Sequence, residues 1–224
     1  GSLLGARWGA TALPFAWRRV LHGRRTYTEP ALTVADLERL ARLAVNGGRP
    51  GAHGWPGIGS LLPHYEQDWG DPPRRVTLGG VQFGNVHALA DALADGVDAV
   101  ISLCRMGTDD VPVPVEHHVL GLLDTTAEEN PNLVFLLDDI VHGIGELVDA
   151  GRNVFVHCVQ ARNRTPVVAA AWLRHREALD ERPRGVVVVV DEPVGVVAAV
   201  ESGIPASDDL LIGRLISLEH RGDR

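Results

Sequence analysis

The chain has 224 residues, 45% of them hydrophobic, which is enough apolar material for a buried core and excludes a disordered tail. With 21 Lys+Arg against 29 Asp+Glu its formal net charge is -8, so it lacks the broad basic face that would neutralise a nucleic-acid backbone. Its 2 cysteines make neither a disulfide framework nor a zinc spacing, and they fit a reducing cytoplasm in which a thiol stays reactive.

In chain order, the first element is a helical arm over residues 1–45. Thr33 is placed to cap a helix through Ala44, with Val34, Leu37, Leu40, Ala41 and Ala44 along one face. Gly1-Ser2 in place of Met reads either as an expression scar or as the cut end of a longer chain. Residues 46–60 then hold six glycines and two prolines without apolar periodicity, so 46–73 reads as a Gly/Pro-rich linker and 74–224 as the main domain. Four of the five tryptophans (Trp8, Trp17, Trp55 and Trp69) lie before that boundary.

Beyond it strands and helices alternate. VTLGG near 76–80, VDAVISLC at 97–104, HHVLGLL at 117–123 and NVFVHC at 153–158 read as strands. Helices are expected over Val86 to Ala94, from Asn130-Pro131 to Gly151, from Thr165-Pro166 onward, and twice more between Val194 and about His220. The pattern predicts an α/β fold, a mainly parallel sheet flanked by helices, with ligands at the carboxyl ends of the strands. The apolar run from Gly185 towards Val200 is broken by Asp191, Glu192 and Pro193, so no segment is expected to span a membrane.

One strand end carries chemistry. Val154-Phe155-Val156-His157-Cys158 is followed by Val159, Gln160, Ala161, Arg162, Asn163, Arg164, Thr165 and Pro166, then by an Ala/Val-rich helix. A strand, a tight loop and a helix start bring backbone N–H groups and the positive end of a helix dipole to one point, which suits an anion and activates a thiol placed there. Cys158 occupies that point. Arg164, six positions on, offers a planar fork for two phosphate oxygens, which a lysine lacks.

His157-Cys158, five intervening residues, Arg164 and Thr165 together resemble the signature loop of the cysteine-based, dual-specificity-type protein phosphatases, and the resemblance covers about residues 74–220. It implies that Cys158 is the nucleophile and that Asp124, on the loop after the preceding strand, is the general acid. It further implies that residues 159–164 bind phosphate, that Thr165 hydrogen-bonds the departing sulfur, and that His157 orients the cysteine from behind. No metal or other cofactor is implied. The chain departs from the family at Ala161, where relatives usually have Gly, and at Arg162, an extra cation that faces solvent or meets a second anionic group. LLGARWGATALPFAWRRVLHG, in the first 45 residues, is similar to the carboxyl-terminal tail of ADP-ribosylglycohydrolases, which implies a glycohydrolase fused ahead of the phosphatase.

Other acids compete for the role of Asp124, namely Asp109, Asp110, Asp138 and Asp139. Cys104, at the end of VISLC, reads as core or as a redox partner of Cys158. His117 and His118 look like a metal pair beside Glu116, but adjacent strand residues face opposite ways, so they read as ordinary strand histidines. Tyr65 and Trp69 read as packing residues or as flanks for a substrate ring. The function expected is a phosphoprotein phosphatase acting on phosphotyrosine and also on phosphoserine or phosphothreonine. The alternatives are a phosphatase for small molecules such as a phosphorylated ADP-ribose or a phosphoinositide, or a phosphate-binding pseudophosphatase. The expected partners are accordingly a phosphorylated protein or metabolite, with no nucleic acid and no membrane.

Overall fold

The computed structural model describes residues 13–24, 26–28, 31–49, 59–107, 109–127, 129–130, 132–179, 185–191 and 195–202. Its arm contributes helices α1 (Phe15–Val20) and α2 (Val34–Val45). A reciprocal capping box starts α2: Asp36 N donates to Thr33 Oγ1 at 3.4 Å and Thr33 N to Asp36 Oδ2 at 2.9 Å. Helix α3 (Leu62–Asp68) lies inside the stretch read from sequence as linker.

β1 (Arg75–Leu78) turns through Gly79 and Gly80 into β2 (Val81–Asn85), a strand the sequence reading passed over. Both glycines have positive φ, 54° and 81°, as a two-residue hairpin turn matched to strand twist requires. Then come a 3₁₀ turn (Val86–Ala88), α4 (Leu89–Ala94), β3 (Ala99–Ser102), β4 (Glu116–Val119), α5 (Leu133–Asp149), β5 (Val154–Cys158) and α6 (Arg164–Leu179). The five strands form one sheet in the order β1-β2-β5-β3-β4, with β1 antiparallel to β2 and the other pairs parallel. The fold is therefore a mostly parallel sheet flanked by helices.

Every residue of β3 and β5 is buried, which is why both read as mainly apolar runs without alternation. Alternate residues serve opposite faces. Ile101, Val154 and Val156 join Ile140, Ile144, Val168 and Trp172 of α5 and α6, while Val100 and Phe155 join Leu89 and Ala92 of α4. The arm is packed into the first cluster. Phe15 is 1% exposed, its N–H donates to both Asp139 oxygens at 2.8 and 2.9 Å, and a Cβ on Gly143 would stand 2.5 Å from its ring. Arg18 donates to Glu38 and to the Val119 carbonyl, and Arg19 to Glu116, so both cations fasten the arm. Its likeness to a glycohydrolase tail rests on sequence alone.

One expectation is corrected beyond α6. Gly195–Ser202, expected to begin a helix, is a strand (β7) paired antiparallel with β6 (Gly185–Asp191). Both segments are rich in valine, whose branched side chain favours extended backbone over helix. The second helix expected before His220 lies outside the described residues. Among the described residues, no helix is long and apolar enough to cross a membrane.

Candidate active site

Cys158 ends β5 at the carboxyl edge of the sheet, in register with Asn85 of β2, while His157 beside it pairs with Ser102 of β3. The loop leaves at once: Val86 N donates to the Val159 carbonyl at 3.2 Å, and Val167 N to the Asn163 carbonyl at 3.2 Å as α6 begins. Between these ties the chain folds back, so that Ala161 N donates to Cys158 Sγ at 3.2 Å. The turn is made by Ala161 at φ 57°, the one non-glycine with positive φ among the described residues. Its Cβ costs about 1–2 kcal/mol in that geometry.

Arg164 opens α6, and its fork is rigidly held. One terminal nitrogen donates to the carbonyls of Leu103 (2.9 Å) and Leu122 (3.4 Å), and the other to Asp124 Oδ2 (3.0 Å). Its Nε is buried and has no hydrogen-bond partner among the described residues, which leaves a donor for an anion oxygen. Asn163 donates to the other Asp124 oxygen at 3.3 Å, so a half-exposed carboxylate stands beside the loop.

The rival acids lie elsewhere or are engaged. Asp139 receives the Phe15 N–H, and Asp138, 71% exposed, pairs with His142. Asp109 donates its N–H to the Gly59 carbonyl. Asp110 would be raised by burial, but the Ser60 hydroxyl and the N–H groups of Leu61, Gly107 and Leu62 outweigh this and hold its carboxyl below the usual range. Saturated with donors, it has no proton to give. It fastens the start of α3 instead.

His157 is wholly buried, with its ring stacked on Phe155 at 5.3 Å. Its Nε2 lies 2.8 Å from Ser102 Oγ, which lies 2.9 Å from His117 Nε2, and its Nδ1 is 3.4 Å from the Cys158 carbonyl. A carbonyl only accepts, so His157 Nδ1 carries the proton, the Ser102 hydroxyl donates to His157 Nε2, and His117 Nε2 donates to Ser102. Burial pushes His157 down to about 3 and His117 to about 4, so both rings are neutral at pH 7. The sequence reading missed this chain; a serine inside the apolar run VISLC was its one signal. His118 faces the other way, towards Phe15 (ring centroids 4.5 Å apart) and Glu116. The described residues hold no cluster of three or more His, Cys, Asp or Glu suited to a metal ion.

Two depressed histidines predict acid lability. The unfolded chain takes up protons near the ordinary value of 6.5 and the folded one only near 3 to 4, so this stability is present above about pH 6.5 and is lost as pH falls. Between pH 6 and 4 each histidine should remove about 1.4 kcal/mol per pH unit. Urea midpoints at pH 7, 6 and 5 measure it. His117→Gln should flatten the slope, and an unchanged slope would refute the assignment.

Thr165 is placed differently from expectation. The Thr165 hydroxyl donates to the Gly84 carbonyl at 3.3 Å rather than to sulfur, tying α6 to β2. Arg162 donates to Asp71 Oδ1 at 3.4 Å and is 41% exposed, so it is only partly free for solvent or substrate. Burial, then the nearby Cys158, pushes the Cys104 thiol up to about 12, and Cys104 stays protonated against Met106. The Tyr65 hydroxyl donates to the Arg105 carbonyl at 2.6 Å, with Trp69 beside it at 6.0 Å between ring centroids. The stretch read as linker thus reaches the loop that follows β3. Asp71, which the sequence reading did not single out, lies on that stretch.

The strand end, the thiol, the inward loop amide and the fixed guanidinium lie together at the carboxyl edge of the sheet. No protein family and no curated protein matches the chain. Among solved structures it is similar to human DUSP28 (24% identity, 47% of this chain and 72% of that one, TM-score 0.41). It is also similar to OH1 from the Orf virus, a tyrosine phosphatase with triple substrate specificity (18%, 54% and 72%, 0.41). A third similar structure is Tk-PTP in its active form (26%, 53% and 83%, 0.33). These are loose likenesses, each over about half of the chain.

Proposed function

We propose that the chain is a cysteine-dependent phosphatase that hydrolyses phosphate monoesters of the phosphotyrosine and dual-specificity kind. The observation that carries this is the Ala161 N–H directed at the Cys158 sulfur from a loop that ends in the anchored Arg164 fork. Cys158 releases its thiol proton to solvent, the sulfur attacks phosphorus in line, the bond to the leaving oxygen breaks, and Asp124 in its acid form gives that oxygen its proton. Asp124 then takes a proton from water as the water attacks phosphorus; the P–S bond breaks and inorganic phosphate leaves. Loop amides and Arg164 hold the equatorial oxygens throughout. In this reading the Asp124 carboxylate occupies part of the Arg164 fork until a phosphate displaces it; released from the cation, it takes up a proton from solvent and turns towards the leaving group.

One observation favours a second reading. A side chain stands at the left-handed position of the loop, so the site can be a phosphate binder without turnover. Hydrolysis of para-nitrophenyl phosphate separates the two. Phosphate release that is abolished by vanadate supports the enzyme; vanadate protection of Cys158 from iodoacetamide without release selects the binder. Phosphotyrosine, phosphoserine and phosphothreonine peptides compared with phosphorylated ADP-ribose and phosphoinositides then identify the substrate class. Turnover of the small molecules alone would overturn the protein-substrate reading.

A further inference from the structure

Ala161 holds a conformation that glycine adopts freely and alanine resists, and the amide that faces the Cys158 sulfur depends on it. Such a geometry persists only where its surroundings impose it. The residues on either side of Ala161 are bound to the two oxygens of a single carboxylate: Gln160 Nε2 donates to Asp71 Oδ2 at 3.1 Å, and Arg162 donates to Asp71 Oδ1 at 3.4 Å. Arg74, 3.7 Å from Oδ1, adds a second cation beside that carboxylate.

Asp71 is itself firmly placed. Its N–H donates to the Trp69 carbonyl at 2.7 Å, which also receives His87 Nε2 at 2.6 Å. Buried Asn85 donates to the Pro72 carbonyl at 2.8 Å and accepts from Arg74 N at 3.0 Å, and Asn85 is the β2 residue in register with Cys158. The carboxylate is thereby referenced to the strand end that bears the thiol.

We propose that Asp71 is a positioning residue, a clamp that grips Gln160 and Arg162 and so holds Ala161 in the left-handed turn that aims the loop at a bound anion. The clamp does by side-chain contact what a glycine would do by backbone freedom. It rests on the thiol-site reading but not on turnover.

The test is a double-mutant cycle of Asp71→Asn with Ala161→Gly, read as the vanadate concentration that half-protects Cys158 from iodoacetamide. In the Ala161 background, Asp71→Asn should weaken vanadate binding about tenfold, the scale of one misaligned donor set. In the Ala161→Gly background the same change should cost less than about twofold. Equal losses in both backgrounds, or none in either, would overturn the clamp. If Asp71→Asn fails to fold, Gln160→Ala with Arg162→Ala releases the loop from its own side and must show the same rescue by glycine. Anion protection is measured without hydrolysis. An inactive protein that shows the coupling keeps the clamp and loses the enzyme; an active one without it does the reverse.

Discussion

Cys158→Ser is expected to lower para-nitrophenyl phosphate hydrolysis by at least about 10⁴-fold while leaving vanadate or phosphate binding within a few-fold of wild type. The two halves of that expectation come from different atoms. Nucleophilicity belongs to the sulfur alone: a serine hydroxyl in its place has no base to take its proton, because its neighbour is the Ala161 N–H, a donor. In the proposed mechanism anion binding falls to the loop amides and to Arg164, whose anchors on Leu103 and Leu122 do not involve Cys158. Phosphate release and isothermal titration with vanadate measure the two. Wild-type turnover in the serine variant would sink the mechanism, and loss of both activities together with a lowered melting temperature would mean that the loop had collapsed.

The parts of the site legible in the sequence are those whose physics is local. β5, its loop and α6 are contiguous, so a buried apolar run, an unusual thiol and a helix start stand next to one another in the text. α5 is equally plain because its Leu and Ile positions recur at helical spacing over 17 residues. β2 was passed over because Gly79-Gly80 reads as the end of one strand as readily as the turn between two, and VQFGN is short. Asp71 was not legible at all. Its partners lie 89 and 91 residues away, and its local sequence, DPPRR, says only that the chain bends. Ser102, 55 residues from His157, left only a polar side chain in an apolar run as its mark, since only the parallel pairing of β3 with β5 brings the two together. The helix α3 inside the stretch 46–73 was hidden for a related reason. Composition shows glycine and proline, but not that the Asp110 carboxylate accepts from Ser60, Leu61 and Leu62 at the start of α3 and from Gly107.

Asp124→Asn should lower kcat by about 10²–10⁴ for substrates with poor leaving groups, such as phosphoserine peptides, and much less for para-nitrophenyl phosphate. The contrast follows from what the proton is for. An alkoxide is too basic to leave without one, whereas para-nitrophenolate is a stable anion, so removing the acid matters only in the first case. The structure makes asparagine a fair probe, because its amide oxygen can still accept from Arg164 and the loop would keep its shape. KM should therefore change little. Steady-state kinetics on the two substrates, with vanadate binding as a control for the loop, decide the role. An equal loss of kcat on both would assign Asp124 to the architecture of the loop and not to proton transfer.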